Sequence, residues 1–470
     1  MNTIPSHNRR KLIQLGALGG LSLLPAGSLF AADKEESKST ETEKDQKPEK
    51  MLRVIAIGAG GRAVGNIKPL EKHKAVEFVG FCDVDTRMMN RWKKSYPDAL
   101  YLQDYRVFFR DHLDKFDAVV MSTPDHSHAP IILTAMAADK HIYAEKPLVH
   151  QLDELRMVRN AVAAKPKLVT QMGNQRSCMK GKMEIVEMLR NGELGKIKEA
   201  WVWVGRMKAS GYFVDPWLDQ YPEAKPAPEE LDWELWKSCS KAKVGYHPDM
   251  ARAKWRAFWE YGSGPIGDWG CHILDTLFYG LNLESGPLAV KTEAPRGPSK
   301  VSVGTYLQST MTFKGNAQTS GDFLEIHFND GPISPPNLSY GLPRKLKPQS
   351  NMTLIVTEAG TLLTTAVGGW KLYKDGKDIS ASVTIPKVKP RHHWHDWVDN
   401  CLGAKKPLWS PLDVGSLITE AALLPVKASV FQGRELGWDS KACRFDLEEA
   451  NAKVVSREYA DGFGIPKEFV

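Results

Sequence analysis

Two short stretches place reactive side chains where they could act on a substrate. In "GDWGCHILDT" (267–276), Asp268 and His272 stand four residues apart, so on a helix they share one face. A carboxylate beside an imidazole fixes its tautomer and raises its basicity, the arrangement of a proton acceptor with an orienting partner. An N-capping aspartate followed by a packed histidine is the plainer alternative. Asp275 follows one turn on. In "HIYAEKPLVH" (141–150), an apolar run stops at Glu145, Lys146 and Pro147. The proline ring fixes the backbone just after the lysine and so holds one ammonium in one place.

A third stretch handles a nucleotide. The strand "LRVIAI" runs into Gly58-Ala59-Gly60-Gly61-Arg62-Ala63, a G-x-G-x-x-[GA] pattern. Gly58 permits the tight turn, Gly60 lets the backbone approach a pyrophosphate, and Ala63 is small enough for helix against strand. Asp83 ends the second strand 20 residues after Ala63 and can accept hydrogen bonds from the ribose hydroxyls. Because an acid there repels a 2′-phosphate, NAD is expected rather than NADP. The third strand ends in Ser122-Thr123-Pro124-Asp125-His126-Ser127-His128, a loop expected to line the cofactor crevice. His126 and His128, like the cluster in "RHHWHDW" (391–397), lack further grouped ligands, so no metal is expected.

These residues need a scaffold. From Met51 short β-rich runs ("LRVIAI", "VEFVGFC", "DAVVMST", "HIYAE", "KLVTQM") alternate with helical stretches. That is the pattern of a doubly wound α/β domain with a parallel sheet, assigned to 51–172. After Met172 come a helix ("MKGKMEIVEMLRNG"), a strand ("IKEAWVWVG") and a Trp- and Pro-rich connection. A helix around "CHILDTLFYG", consecutive strands to about residue 385 and two closing helices follow. This is an α+β domain, 173–470, with a large, mostly antiparallel open sheet.

Taken in order, G-A-G-G-R-A, "STPDHSHA", "AEKPL", "GNQRS" (173–177) and "GDWGCHILD" resemble the Gfo/Idh/MocA oxidoreductases, the family of glucose–fructose oxidoreductase and inositol dehydrogenase, from Met51 to about residue 440. The resemblance implies that Lys146, often followed by a cis peptide, anchors the substrate and steadies developing negative charge on its oxygen. It also implies that His272 is the general acid/base with Asp268 as partner, and that Glu145 neutralises or orients Lys146. The cofactor set then comprises Gly58, Gly60, Gly61, Arg62, Ala63, Asp83, Ser122, Thr123, Pro124, His126, His128, Glu145, Lys146 and Gln175. Substrate would meet Lys146, Asp268 and His272, with Arg176 on its hydroxyls or a carboxylate. Trp255 and Trp259, with Tyr261, would form an aromatic floor. For Arg176 and the aromatics, a structural ion pair or core packing is an equal reading.

The 470-residue chain is long enough for two domains, and its formal charge is +7. Residues 1–32 have the form of a twin-arginine export signal: Arg9 and Arg10 precede an apolar stretch, Leu12–Leu24, too short for a membrane span. No clean A-x-A site precedes Asp33, and an uncleaved signal would leave a membrane tether. Without Arg9, Arg10 and Lys11 the charge is +4, too weak and scattered to argue for nucleic acid. Residues 33–50, "DKEESKSTETEKDQKPEK", carry no aliphatic or aromatic side chain and are expected to be a disordered linker. The six cysteines form no C-x-x-C pair.

The expected protein is thus an NAD-dependent oxidoreductase of a sugar, polyol or glycoside, exported folded by the twin-arginine machinery around a tightly held cofactor. It is expected to pair with other copies through its open sheet. An NAD-dependent glycosidase that oxidises, eliminates, hydrates and re-reduces its substrate is the alternative. A cofactor-holding binding protein is the second, and intact Lys146, Asp268 and His272 argue against it.

Overall fold

Alternate side chains of β1 (Leu52–Ile57) belong to two different cores. Leu52, Val54 and Ala56 pack on one face of the first sheet, Ile55 and Ile57 on the other. Helices cover both faces, which is why the strand is apolar from Val54 to Ile57. The computed structural model describes residues 48–205, 219–331, 335–347 and 349–470; the expected signal and nearly all of the charged linker lie outside them.

The first sheet contains β1, β2 (Val76–Cys82), β3 (Leu100–Leu102), β4 (Ala118–Met121), β5 (His141–Ala144) and β6 (Thr170–Met172). They run in the order β3-β2-β1-β4-β5-β6, every pair parallel. The order reverses beside β1, so a crevice opens at the carboxyl ends of β1 and β4, the position where doubly wound sheets take their ligands.

The second sheet has ten strands: β7 (Ile197–Val204), β8 (Ala289–Glu293), β9 (Gln308–Lys314), β10 (Phe323–Asp330), β11 (Met352–Thr357), β12 (Thr361–Thr365), β13 (Trp370–Lys374), β14 (Lys377–Asp378), β15 (Glu435–Asp439) and β16 (Arg444–Phe445). Their order is β14-β13-β12-β11-β7-β10-β9-β8-β15-β16. Among the described residues, only β7 and β10 pair in parallel in this sheet; its remaining ladders are antiparallel, as expected. The helix Gly264–Gly280 packs on this sheet, between the helices Lys180–Arg190 and Leu412–Ala428.

The later part of the chain also serves the first sheet. The helix His393–Cys401 buries Trp397 and Val398 in the core that holds Val54 and Phe78. His392 caps it by accepting from the His395 N–H. The histidines of "RHHWHDW" thus begin a packed helix. Residues 231–261 of the Trp-rich connection form a satellite core, which packs on Val84, and Leu231 bridges Asp85, three residues past β2. All six cysteines are free.

Candidate active site

The carboxyl ends of five parallel strands deliver the site's residues, and the helix Gly264–Gly280 closes over them. After β1, Gly58 adopts φ +86°, and a Cβ there would lie 2.6 Å from the Ser122 carbonyl oxygen. No side chain fits at that turn. At Gly60 an added Cβ would meet the Met88 sulfur at 2.5 Å, whereas at Gly61, φ +49°, it would meet nothing within 4 Å. The turn is therefore pressed against protein on one side and open over Gly61.

Beside it, Asp83 accepts from the N–H groups of Ala59 (2.9 Å) and Asp85 (3.0 Å). Burial lifts its carboxyl above the ordinary value. An open glycine turn with an acid at the end of the second strand fits the pyrophosphate and ribose of a dinucleotide. Ala63 is buried under the turn.

Glu145, expected to neutralise or orient Lys146, acts on that ammonium through its charge, while one oxygen of its carboxylate binds other partners. Its Oε1 accepts from Arg62 Nε (2.9 Å), Asn66 Nδ2 (2.9 Å) and Gln175 Nε2 (2.7 Å). Burial would raise its pKa, but the charges of Arg62 and Lys146 hold it below the ordinary value. Asn66 also donates to Ser122 Oγ at 3.1 Å. Arg62, Ser122, Glu145 and Gln175 thus form one network under the glycine turn. Thr123 Oγ1 accepts from Ser127 Oγ at 2.8 Å, and Pro124 precedes that turn in extended conformation.

Lys146 reaches across to the second domain. Its Nζ donates to Asp268 Oδ1 at 2.6 Å, with both side chains about one-tenth exposed, and the Lys146–Pro147 peptide is cis. Burial lowers the ammonium's pKa, yet Asp268 and Glu145 outweigh that and hold it above the ordinary value. Lys146 stays charged.

The orienting role expected of Asp268 toward His272 falls instead to Asn174, whose Oδ1 is hydrogen-bonded to His272 Nδ1. Asp268 and His272 do share a helix face, but Lys146, arriving from another strand end, takes the carboxylate. Asn174 is held in turn, its Nδ2 donating to the Cys271 carbonyl (2.9 Å) and to Asp275 Oδ2 (3.2 Å). Asp275 pairs with Lys182 at 2.6 Å, both fully buried, and Lys182 Nζ also donates to the His272 carbonyl. Burial pushes the His272 pKa well below the ordinary value, and the positive charges of Lys146, Arg176, Lys182 and Arg62 push it further. His272 is a neutral imidazole with its proton on Nδ1 and a lone pair on Nε2.

Other expectations are not met. His126 and His128 are buried braces rather than cofactor-lining side chains. His126 Nε2 bonds to the Trp236 carbonyl (3.0 Å), and the His128 nitrogens to the carbonyls of Pro147 (2.6 Å) and Thr123 (2.9 Å). Both sit where the loop turns into a buried helix, so their rings face packing. Trp255 and Tyr261 are core residues of the satellite cluster, and Trp259 lies under the Lys427 ammonium, 5.0 Å from its ring centroid.

What the aromatic stretch brings to the site is Arg256, stacked on Trp255 and 3.4 Å from Asp268 Oδ1. Sequence reasoning also passed over Asp125. Its buried carboxyl is pushed up to about 7, by burial first and then by Asp268, against the pull of Arg256 and Lys146. The signal for Asn174 was its place just past β6, the rule that singled out the loop after β4.

Comparison with known proteins agrees with this fold. A model of the Gfo/Idh/MocA oxidoreductase family, NAD-binding Rossmann fold, matches residues 52–172, and a model of that family's C-terminal alpha/beta domain matches 203–323. Together they span slightly more than half the chain. A glycosyl hydrolase family 109 protein from Solibacter usitatus is 30% identical over 203 residues, 40% of this chain and 44% of that protein. The chain thus matches less than half the length of this curated relative.

Two solved structures share the fold. The WlbA dehydrogenase from Bordetella pertussis, in complex with NADH and UDP-GlcNAcA, is 14% identical with a TM-score of 0.57, over 83% of this chain and 99% of that one. The aldose-aldose oxidoreductase from Caulobacter crescentus, complexed with glycerol, is 16% identical with a TM-score of 0.54, over 83% and 100%. The glycine turn, Asp83 and Lys146 lie within the first matched range and His272 within the second, and the chain belongs to the Gfo/Idh/MocA family of NAD-binding oxidoreductases.

Proposed function

We propose that the protein oxidises a carbinol of a sugar, polyol or glycoside, with His272 as base and Lys146 as the group that holds the oxygen. The observation that carries this is the neutral His272, its Nδ1 proton committed to Asn174, beside a lysine that burial does not discharge. His272 Nε2 takes the hydroxyl proton. Lys146 donates to the same oxygen and stabilises the charge that develops there. Asp268 keeps the ammonium in place. Gly58, Gly60, Gly61 and Asp83 would hold NAD, which when bound would accept the hydride.

The twin-arginine form of residues 1–32 supports export. An exported enzyme has no soluble NAD pool, so its cofactor would be resident and regenerated in place. Lysines at Arg9 and Arg10 would keep such a protein in the cytoplasm.

A second reading is redox-neutral glycoside cleavage. The name of the glycosyl hydrolase family 109 relative favours it. So does Asp125: a carboxyl pushed up to about 7 can hand a proton to a leaving group or take one back, a task simple oxidation lacks. Purified protein incubated with free-sugar and glycoside panels, without added NAD, separates the two. Oxidation reduces bound cofactor in a single turnover, glycosidase action releases sugar with no net change, and neither signal on any panel member sinks the proposal.

A further inference from the structure

Around the reacting centre the charges pair. Arg62 binds Glu145, Lys146 binds Asp268, Lys182 binds Asp275, and Arg256 lies 3.4 Å from Asp268. Arg176 differs. Among the described residues it has no carboxylate within ion-pair distance. Its guanidinium is partly buried and stacks over the Trp269 ring, 4.9 Å from the centroid. Trp269 in turn meets the His272 ring edge-on, centroids 5.7 Å apart. Among the charges acting on His272, that of Arg176 follows only Lys146. An unpaired cation thus stands next to the base.

A guanidinium whose flat face lies on an indole keeps its in-plane N–H groups for a partner, and their fork matches a carboxylate. Leaving such a charge half-buried without one is costly, and a substrate anion removes the cost. With Arg62 committed to Glu145, one guanidinium matches one negative charge; a phosphate dianion would want a second cation.

We propose that Arg176 is the receptor for a carboxylate on the substrate, so that the site takes uronic acids or glycosiduronic acids in preference to neutral sugars. This rests on the oxidoreductase reading for the position of the substrate's hydroxyl at Lys146 and His272.

The test is calorimetric binding of matched panels, methyl hexosides and methyl hexosiduronates of gluco, galacto and manno configuration, to the NAD-loaded protein and to its Arg176→Gln and Arg176→Lys variants. At least one uronate should bind roughly 10- to 100-fold tighter than its neutral counterpart, the range of a charge-assisted hydrogen-bonded pair. Arg176→Gln should abolish that preference, and Arg176→Lys should keep part of it. Equal binding of both panels by the unaltered protein, or a preference that survives Arg176→Gln, overturns the proposal. Reduction of bound NAD, followed in the same samples, distinguishes the two failures. A uronate that binds through Arg176 and is never oxidised leaves the carboxylate receptor standing and defeats the oxidoreductase reading. Neutral hexosides oxidised without any preference for uronates defeat the receptor alone.

Discussion

His272 gives its Nδ1 proton to the side-chain oxygen of Asn174, and Asn174 cannot be turned around to refuse it. Its amide nitrogen is committed to two acceptors, the Cys271 carbonyl at 2.9 Å and the Asp275 carboxylate at 3.2 Å. The buried Lys182–Asp275 pair therefore acts on the imidazole through an amide. A carboxylate in direct contact would favour the imidazolium, whereas an amide sets the tautomer without adding charge.

Asn174→Asp supplies that charge, and the consequence has a definite sign. In the unaltered protein His272 is held well below its ordinary value of 6.5, so the acid limb of kcat/KM due to His272 lies below that pH. A carboxylate on Nδ1 raises the imidazole pKa and moves the limb upward. Asn174→Ala should lower kcat by about 10-fold or more with less effect on KM, because the tautomer is no longer set. An acid limb unmoved in Asn174→Asp would refute the assignment.

Lys146→Ala and His272→Ala should each slow reduction of the bound cofactor by at least about 10²-fold, the scale of losing a positioned base or charge stabiliser. NAD content should be unchanged, since neither side chain touches the glycine turn. The double variant should lose less than the product of the single losses, because both groups act on one oxygen. Near-normal single-turnover rates in either variant would remove that residue from the reaction.

Cofactor retention separates the cradle from the fold. Gly61→Ala places a methyl group in open space at φ +49°, which costs about 1–2 kcal/mol of backbone strain but intrudes where the dinucleotide would lie. The purified variant should be folded and depleted of NAD. Asp83→Ala should weaken retention by removing a ribose partner, although it also frees the Ala59 and Asp85 N–H groups. Gly58→Ala, with a Cβ 2.6 Å from the Ser122 oxygen, should fail at the fold itself. A Gly61→Ala protein that keeps its full complement of NAD would refute the placement.

Local signals carried the first sheet. "LRVIAI" and "VEFVGFC" are strands over the same residues in sequence and structure, since burial on one or both faces writes itself into hydrophobic pattern. β3 was not legible, being three residues of intermediate burial. Nor was the return of Glu435–Asp439 to the sheet edge beside β8, a pairing between distant residues. The same limit governed the site. Spacing showed that Asp268 and His272 share a face, but which partner each meets across the crevice depends on strand ends far away in sequence, and Lys146 and Asn174 arrive from two of them. Arg256 was hidden behind its aromatic neighbours, whose composition suggested a sugar platform and whose burial makes a core.

Stability should fall as pH rises from about 6.5 to 8, and Asp330 tests why. At the end of β10 its carboxyl is fully buried, accepts from the Leu307 N–H, and is pushed up to about 8 by burial. Its ordinary value is 3.8, so between those limits the folded protein holds a proton that the unfolded chain has released. A raised carboxyl contributes stability that is complete below the unfolded value and lost as pH climbs through the folded one. Asp125 and Asp153, each pushed up to about 7, act in the same direction. The buried histidines His126 and His393, lowered to about 3, oppose this only below their ordinary 6.5. Lys427, lowered to about 8, begins to oppose it only above that pH. In the window between, each such carboxyl contributes a slope of up to about 1.4 kcal/mol per pH unit. Urea unfolding midpoints measured at pH 6, 7, 8 and 9 should drop through this window, and Asp330→Asn should show a shallower drop because its amide cannot ionise. Parallel curves for the two proteins would mean that Asp330 is not held protonated by the fold.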